Sequence, residues 1–437
     1  MDRFEYDTGE LCFNGDHLTR ALKRAGRTPL NLTISQRQWK LNRNEVAIQD
    51  GLELVDWLSP QTVNIRLRTL TVRNYAVEWQ QNNRLERLQF SSLESFTLKE
   101  DYPAIIKKVV EEARSLRSLR VPPKSLHDME AYRGWRVLKD LQINDNNSTD
   151  ARDTAVIRKI LAATTCLASL SIPGTALSAS GIDEPPRTHV PSLTNLHMWG
   201  WFTYWPIDCP NLTHLELRDG AIGELEAGTI RLPHLVELSY TLYFEDRYCL
   251  HVFNLPSLHK FILHCGFDKV KNTRLIKRIW PVSVSNSGAT KSVSNIEPRI
   301  FVFDQPCVNL KVLAHALTVR KQLNEIQLGQ AEVPLEFFNI LLTLRKMKRS
   351  TKFEATDLVR PPAWSSGCPT LQRLIVTNCL SFRSEQEYRV LERKVNALVA
   401  ARVKAGIPHE QLSIRFSAIN SVGYKEMVKV APNTEMV

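Results

Sequence analysis

A short phrase, Leu-x-x-Leu-x-Leu, recurs along this chain at near-regular intervals, and it restricts the possible folds more than any other feature. Its clearest copy is Cys209-Pro210-Asn211-Leu212-Thr213-His214-Leu215-Glu216-Leu217. With Ile, Val, Phe, Met and Tyr allowed for Leu, copies start at Leu67, Leu93, Leu116, Leu138, Leu167, Leu193, Leu212, Leu235, Leu258, Leu323 and Leu371. The first eight intervals run from 19 to 29 residues and the last two are 65 and 48. Intervals of about 20–29 residues mark repeats built from one short strand and a connecting segment. The fourth and sixth positions of the phrase point one way from the strand, and the first packs beneath. One copy cannot bury that edge alone, so copies must stack and share a core. The expected fold is therefore α/β: an irregular leucine-rich-repeat solenoid with a curved parallel sheet, and helices and loops on its convex side. Pro191, Pro210, Pro233, Pro256 and Pro369 each stand two residues before a first Leu, where proline stops a preceding helix and sets the start of the strand.

The intervals also divide the chain. Residues 1–62 read as an N-terminal cap, with a helix from Asp16 to Gly26, a strand over Pro29–Ile34 and a second helix near Glu45–Trp57. Residues 63–265 hold the regular repeats, with helices over Pro103–Ser115 and Asp150–Ala163. Residues 283–298 are rich in Ser, Asn and Gly without periodicity, and read as a disordered insertion. Residues 299–437 carry further divergent repeats and a helical cap. Helices are expected at Asn309–Arg320, Leu335–Arg349 and Ser384–Ala405, a last strand at Leu412–Phe416, and fraying from 424 onward.

Chemistry-bearing motifs are missing. There is no Gly-rich phosphate loop, no Gly-x-Ser-x-Gly elbow and no His-Glu-x-x-His, so no enzyme, catalytic residue or cofactor is expected. Eight cysteines without a Cys-x-x-Cys pair argue against a metal site. Cys209, Cys307 and Cys368 instead stand three residues before a phrase Leu, an address for a small buried thiol. Met1-Asp-Arg-Phe-Glu-Tyr lacks the apolar region of a secretory signal, and no apolar run approaches the ~18 residues of a membrane helix. The expected location is cytoplasmic and/or nuclear, with no membrane partner. Net charge is +11, with basic runs at Arg20–Arg27, Lys269–Arg278 and Arg345–Lys352. Such runs suit either an acidic partner or a solvated face; without interleaved aromatics, nucleic acid is not the expected partner.

Strand alternation then picks out the outward residues. Positions three, five and seven of the phrase give Thr69, Thr71, Arg73; Ser95, Thr97, Lys99; Asp140, Gln142, Asn144; and Asn195, His197, Trp199. Further along, His214, Glu216 and Arg218 hold the same places. Solenoids bind partners on such a face. Beside it lies Met198-Trp199-Gly200-Trp201-Phe202-Thr203-Tyr204-Trp205, and two strands on come Tyr240, Tyr243, Phe244 and Tyr248. Rings of this kind either form an interaction hot spot or fill the core below a long loop. The candidate partner-binding residues are Trp199, Trp201, Phe202, Tyr204, Trp205, His214, Glu216, Arg218, Tyr243 and Phe244.

Three stretches together resemble the fungal (basidiomycete-type) F-box/leucine-rich-repeat-like proteins. They are Leu18-Thr-Arg-Ala-Leu22-Lys-Arg24-Ala-Gly26-Arg-Thr-Pro29-Leu30-Asn-Leu32-Thr-Ile34, the Cys-Pro-x-Leu-x-x-Leu phrases at Cys209 and Cys368, and Leu398-Val-Ala-Ala-Arg402-Val-Lys-Ala-Gly406-Ile-Pro running into Leu412. In that family an F-box docks an Skp-type adaptor of a cullin ubiquitin ligase while the repeats present a substrate. The F-box, opening on a Leu-Pro-x-Glu phrase, is missing before Asp16. The resemblance thus implies only the substrate-recognition half of an SCF-type ligase, with a protein partner on the concave face or adjacent loops; without the F-box it does not carry over the Skp-type adaptor contact. The other reading is a ubiquitin-independent scaffold, nuclear or RNA-associated through its basic patches.

Overall fold

The computed structural model describes residues 4–7, 30–35, 67–73, 88–144, 151–177, 187–202, 204–222, 228–242, 249–265, 269–280, 296–304, 313, 314, 316, 317, 322–329, 337, 344–346, 364–366, 371–377, 389, 393, 396, 397, 400, 413–420 and 423–430. The fold is α/β, dominated by parallel strands, and the chain divides into two compact units, Met1–Leu212 and Thr213–Val437.

In the first unit the strands are β1 (Phe4–Asp7), β2 (Leu30–Ser35), β3 (Leu67–Arg73), β4 (Ser95–Leu98), β5 (Ser118–Val121), β6 (Asp140–Ile143), β7 (Ser169–Pro173), β8 (Thr188–His189), β9 (Asn195–Phe202) and β10 (Ile207–Asp208). All but β8 and β10 form one parallel sheet in chain order, β1-β2-β3-β4-β5-β6-β7-β9, while β8 and β10 pair with each other. The second unit holds β11 (His214–Ile222), β12 (Ile230–Arg231), β13 (Glu237–Leu242), β14 (Phe253–Asn254), β15 (Lys260–Cys265), β16 (Ile300–Asp304), β17 (Glu325–Gly329), β18 (Leu344–Lys346), β19 (Trp364–Ser366), β20 (Arg373–Thr377), β21 (Ser413–Asn420) and β22 (Gly423–Val430). Its main ladder runs β11-β13-β15-β16-β17-β20-β21 in parallel and closes with an antiparallel β21–β22 hairpin.

The phrases coincide with the rungs. Fourth-position residues stand opposite one another, Leu70, Phe96, Leu119, Leu141, Leu170 and Leu196 in the first unit, and all are buried. Leu215, Leu238, Phe261, Phe301, Ile326 and Leu374 do the same in the second. Each such side chain contributes about 1.5–3 kcal/mol over exposure, against roughly 0–1 kcal/mol for an exposed ion pair. The inward rows therefore hold the sheets.

A repeated turn precedes many of the strands. The first Leu donates its N–H three residues back: Leu193 to Val190, Leu212 to Cys209, Leu235 to Leu232 and Leu258 to Leu255, at 3.2–3.3 Å. Pro191, Pro210, Pro233 and Pro256 occupy the second place of these turns, where a fixed φ favours the bend. The second-position carbonyl then accepts two N–H groups from the next rung, as Arg117 does from Lys139 and Asp140 at 2.8 and 2.9 Å.

Helices fill two intervals where apolar periodicity predicts them and a third, at Lys269–Ile279, where the sequence showed only a basic run. Helix α1 (Pro103–Glu112) starts on a proline and buries Ile105, Ile106, Val109 and Val110. Helix α2 (Ala151–Ala163) buries Val156, Ile157, Ile160 and Leu161. Helix α3 (Lys269–Ile279) buries Leu275, Ile276 and Ile279.

Four sequence expectations need correction. The 65-residue interval hides a rung: Arg299 and Ile300 both donate to His259, and Asn324 and Glu325 to Arg299. This phrase reads Pro298-Arg-Ile-Phe301-Val-Phe303, with proline in the first place. Consequently the expected disordered stretch does not extend to 298: Ile296 and Pro298 are buried, and the Ile296 carbonyl accepts the Trp280 indole N–H at 3.1 Å. The helix expected over Leu335–Arg349 gives way to strand at Leu344–Lys346, which pairs with Trp364–Ser366. The tail expected to fray from 424 supplies β22, which pairs antiparallel with β21, while the helix expected at Ser384–Ala405 is helical at its described residues 389, 393, 396, 397 and 400. The expected helices at 16–26 and 45–57 lie outside the described residues, as do residues 283–295.

Candidate functional site

The outward positions form aligned polar rows on each unit. In the first unit the third-position row is Asn31, Thr69, Ser95, Ser118, Asp140, Ser169 and Asn195. The fifth-position row is Thr71, Thr97, Arg120, Gln142, Ser171 and His197. Nearly all are half-buried, because each side chain leans on its neighbours across strands about 4.8 Å apart. Those neighbours bond laterally. Ser118 Oγ donates to Asp140 Oδ2 at 2.8 Å, and Arg120 Nε donates to Asn144 Oδ1 at 2.9 Å. Ser171 Oγ lies 3.1 Å from His197 Nδ1, and the His197 ring lies 5.1 Å from that of Trp199.

The second unit differs. Its third-position row holds His214, Glu237, Lys260, Ile300, Glu325 and Arg373, in which acids and bases neutralise each other. Lys260 Nζ lies 3.2 Å from Glu237 Oε2, and Arg373 is ion-paired with the buried Glu325. Its fifth-position row carries half-buried Ile262, Val302 and Ile375 beside Ser239 and Gln327.

The ten candidate residues fall into three groups. Trp199, His214, Glu216 and Arg218 reach solvent on outward positions, with Arg218 donating to Glu216 Oε1 at 3.3 Å. Trp201 and Phe202 lie on the β9 backbone just after Gly200, whose φ of 82° interrupts the extended strand; their side chains, together with Tyr243 and Phe244, lie outside the described residues. Tyr204 and Trp205 are core residues, 5% and 2% exposed, which corrects their assignment to a partner surface. The Tyr204 hydroxyl donates to the Leu177 carbonyl at 2.8 Å and accepts from Arg158, whose guanidinium also donates to Leu177 at 2.7 Å. The Leu177 carbonyl thus accepts from both the Tyr204 hydroxyl and the Arg158 guanidinium. Tyr240 is likewise buried, its hydroxyl accepting the Cys249 N–H at 3.4 Å.

Cys209 sits at the first place of the turn before β11, and burial pushes its thiol up to about 12, with Asp208 adding to the effect. Burial likewise raises Cys265 to about 12. Such thiols are protonated at neutral pH and are poor nucleophiles or metal ligands. Among the described residues no group of three or more His, Cys, Asp or Glu side chains is placed to hold a metal ion. Among them too, no helix is long and apolar enough to cross a membrane.

Sequence reasoning missed the rim before β5 and β6. Arg114 and Arg117, and then Arg136 and Lys139, recur at the same places of two successive phrases, and all four are exposed. The signal was present as Arg-x-x-Arg and Arg-x-x-Lys, but neither forms a continuous basic run. Set against known proteins, the chain matches no family model and no curated protein.

Proposed function

We propose that the chain is a non-enzymatic protein-interaction solenoid of irregular leucine-rich-repeat type, similar to the substrate-recognition half of an F-box protein. One observation carries this reading: parallel strands in each unit whose outward rows stand in register and are mostly half-exposed. All-parallel sheets are ordinarily covered on both faces. Stacked repeats are the architecture that leaves one face open, and they use it for partners. On the first unit the partner contacts Arg120, Gln142, Asn144, His197 and Trp199. On the second it contacts His214, Glu216 and Arg218 beside the aliphatic strip of Ile262, Val302 and Ile375. Buried Tyr204 and Trp205 act as supports.

The test is affinity capture from cells with mass spectrometry, using the chain, a Trp199→Ala/Gln142→Ala variant and a His214→Ala/Arg218→Ala variant. A protein lost from either variant supports the reading. Co-capture of adaptor and cullin subunits would tie it to ubiquitin ligation. Capture identical across all three proteins would sink it.

A second reading, a nucleic-acid-associated scaffold, draws on helix α3, where Arg274, Lys277 and Arg278 are exposed. RNA binding that weakens steeply with salt would favour it.

A further inference from the structure

The rim from which β5 and β6 start carries four exposed cations that form no ion pair among the described residues. Arg114 and Arg136 stand three residues before Arg117 and Lys139, and the backbone holds the two sets in register. Lys139 donates its N–H to the Arg117 carbonyl at 2.8 Å, and Thr165 Oγ1 caps the Arg136 carbonyl at 3.4 Å. Adjacent strands are about 4.8 Å apart, inside a screening length of about 8 Å at physiological salt. The four charges therefore repel one another in the free protein.

Among the described residues no carboxylate forms an ion pair with any of the four. On one flank Glu94 is already paired with Arg68 at 2.6 Å. On the other flank stand Thr165, Cys166 and Ala168, which carry no charge. Between Arg136 and Lys139, Val137 is 49% exposed, one of only two large aliphatic side chains so exposed among the described residues. No exposed ring lies within these segments: Trp135 is buried, its indole N–H donating to the Met129 carbonyl at 2.7 Å.

We propose that this rim docks an extended acidic polypeptide segment, its carboxylates on Arg114, Arg117, Arg136 and Lys139 and an aliphatic side chain on Val137. Charge complementarity selects the acidic partner, and Val137 selects one with an apolar residue. Single-stranded nucleic acid draws much of its affinity from stacking on aromatic rings, and this rim offers none. The proposal rests on the chain being a protein-interaction module, and names the chemistry of one partner segment.

The test is fluorescence anisotropy with a labelled short peptide repeating Glu-Glu-Leu-Glu, compared with an oligouridylate of equal charge. The peptide is expected to bind, more weakly as salt rises, and Arg136→Glu/Lys139→Glu to weaken it by about tenfold or more. Arg136→Gln/Lys139→Gln, which adds no carboxylate, should weaken it less, with an unchanged melting temperature for both. No peptide binding, or affinity unaffected by either variant, overturns the proposal. So does tighter binding of the oligouridylate with the same rim dependence, which would make the rim a nucleic-acid surface. Loss in Arg274→Glu/Lys277→Glu but not in the rim variants moves the charge effect to α3. Loss confined to Trp199→Ala moves the segment to the outward face, overturning the rim while leaving the interaction reading standing.

Discussion

Asp153, wholly buried in the first turn of α2, holds its Oδ1 2.6 Å from Nε2 of His127. The contact joins the helix to the segment that follows β5, twenty-six residues earlier in sequence. A carboxylate taken out of water is retained only when polar partners replace the lost hydration. His127→Ala removes one such partner and is expected to lower stability by about 1–3 kcal/mol in urea unfolding. A change below about 0.5 kcal/mol would mean the contact is incidental.

The aromatic run should split by burial. Trp205→Ala empties a core site and is expected to cost about 3–5 kcal/mol. Tyr204→Phe removes the hydroxyl shared with Leu177 and Arg158, for about 1–2 kcal/mol. Trp199→Ala should leave the melting temperature nearly unchanged and act on partner capture. Equal destabilisation by Trp199→Ala would assign that ring to the core too.

Thiol accessibility follows the same logic. Cys166 is exposed, whereas Cys209 and Cys249 are buried. Ellman's reagent on the native protein should modify Cys166 rapidly, and Cys209 and Cys249 only after unfolding. Rapid native-state labelling of Cys209 would show that the turn before β11 opens readily.

Alkaline stability should also report these thiols. Cys209 and Cys265 stay protonated up to about 12 when folded, against roughly 8.5 in an unfolded chain. The folded state thus binds the protons more tightly. Their contribution is fully present below about pH 8.5 and is lost as pH rises toward 12. Cys209→Ala should flatten the fall in melting temperature across that window. An identical fall in the variant would assign the alkaline loss to other groups.

The hidden rung makes a fifth case. Phe301 lies 4.9 Å from the Trp280 ring and 5.8 Å from that of Phe261, centroid to centroid. Phe301→Ala should cost about 3–5 kcal/mol, read by thermal or urea unfolding. A loss under about 1 kcal/mol would mean the β16 pairing is not part of the stable core.

Much of the fold was legible because the phrase obeys two periods at once, alternation within the strand and recurrence between strands. Leu196, Leu215 and Leu238 lie where that pattern puts them, buried and opposite their neighbours. The rung at Ile300 was not legible, because Pro298 replaces the first leucine while its ring still packs inward. Strand at Leu344–Lys346 was hidden by residues that equally suit a helix, and pairing with Trp364–Ser366 decides it. At the site, alternation found Trp199 and His214 but could not separate them from Tyr204 and Trp205. The positive φ of Gly200 interrupts the regular extension, and past β9 the Tyr204 hydroxyl is met by Leu177 and Arg158, far away in sequence. The cationic rim escaped notice because its charges converge only when two phrases lie side by side.

Within each unit, almost every strand of the main ladder is bonded to the strands made just before and just after it. A chain emerging from the ribosome can therefore add one rung at a time to an edge already formed, without waiting for a distant partner. Short sequence separation between contacts favours fast folding, and arrays of this kind can nucleate locally and propagate. The cost falls on the growing edge, which exposes unpaired backbone until the next rung arrives. In the second unit, the β21–β22 hairpin covers the edge of β21 with a strand that runs back antiparallel along it.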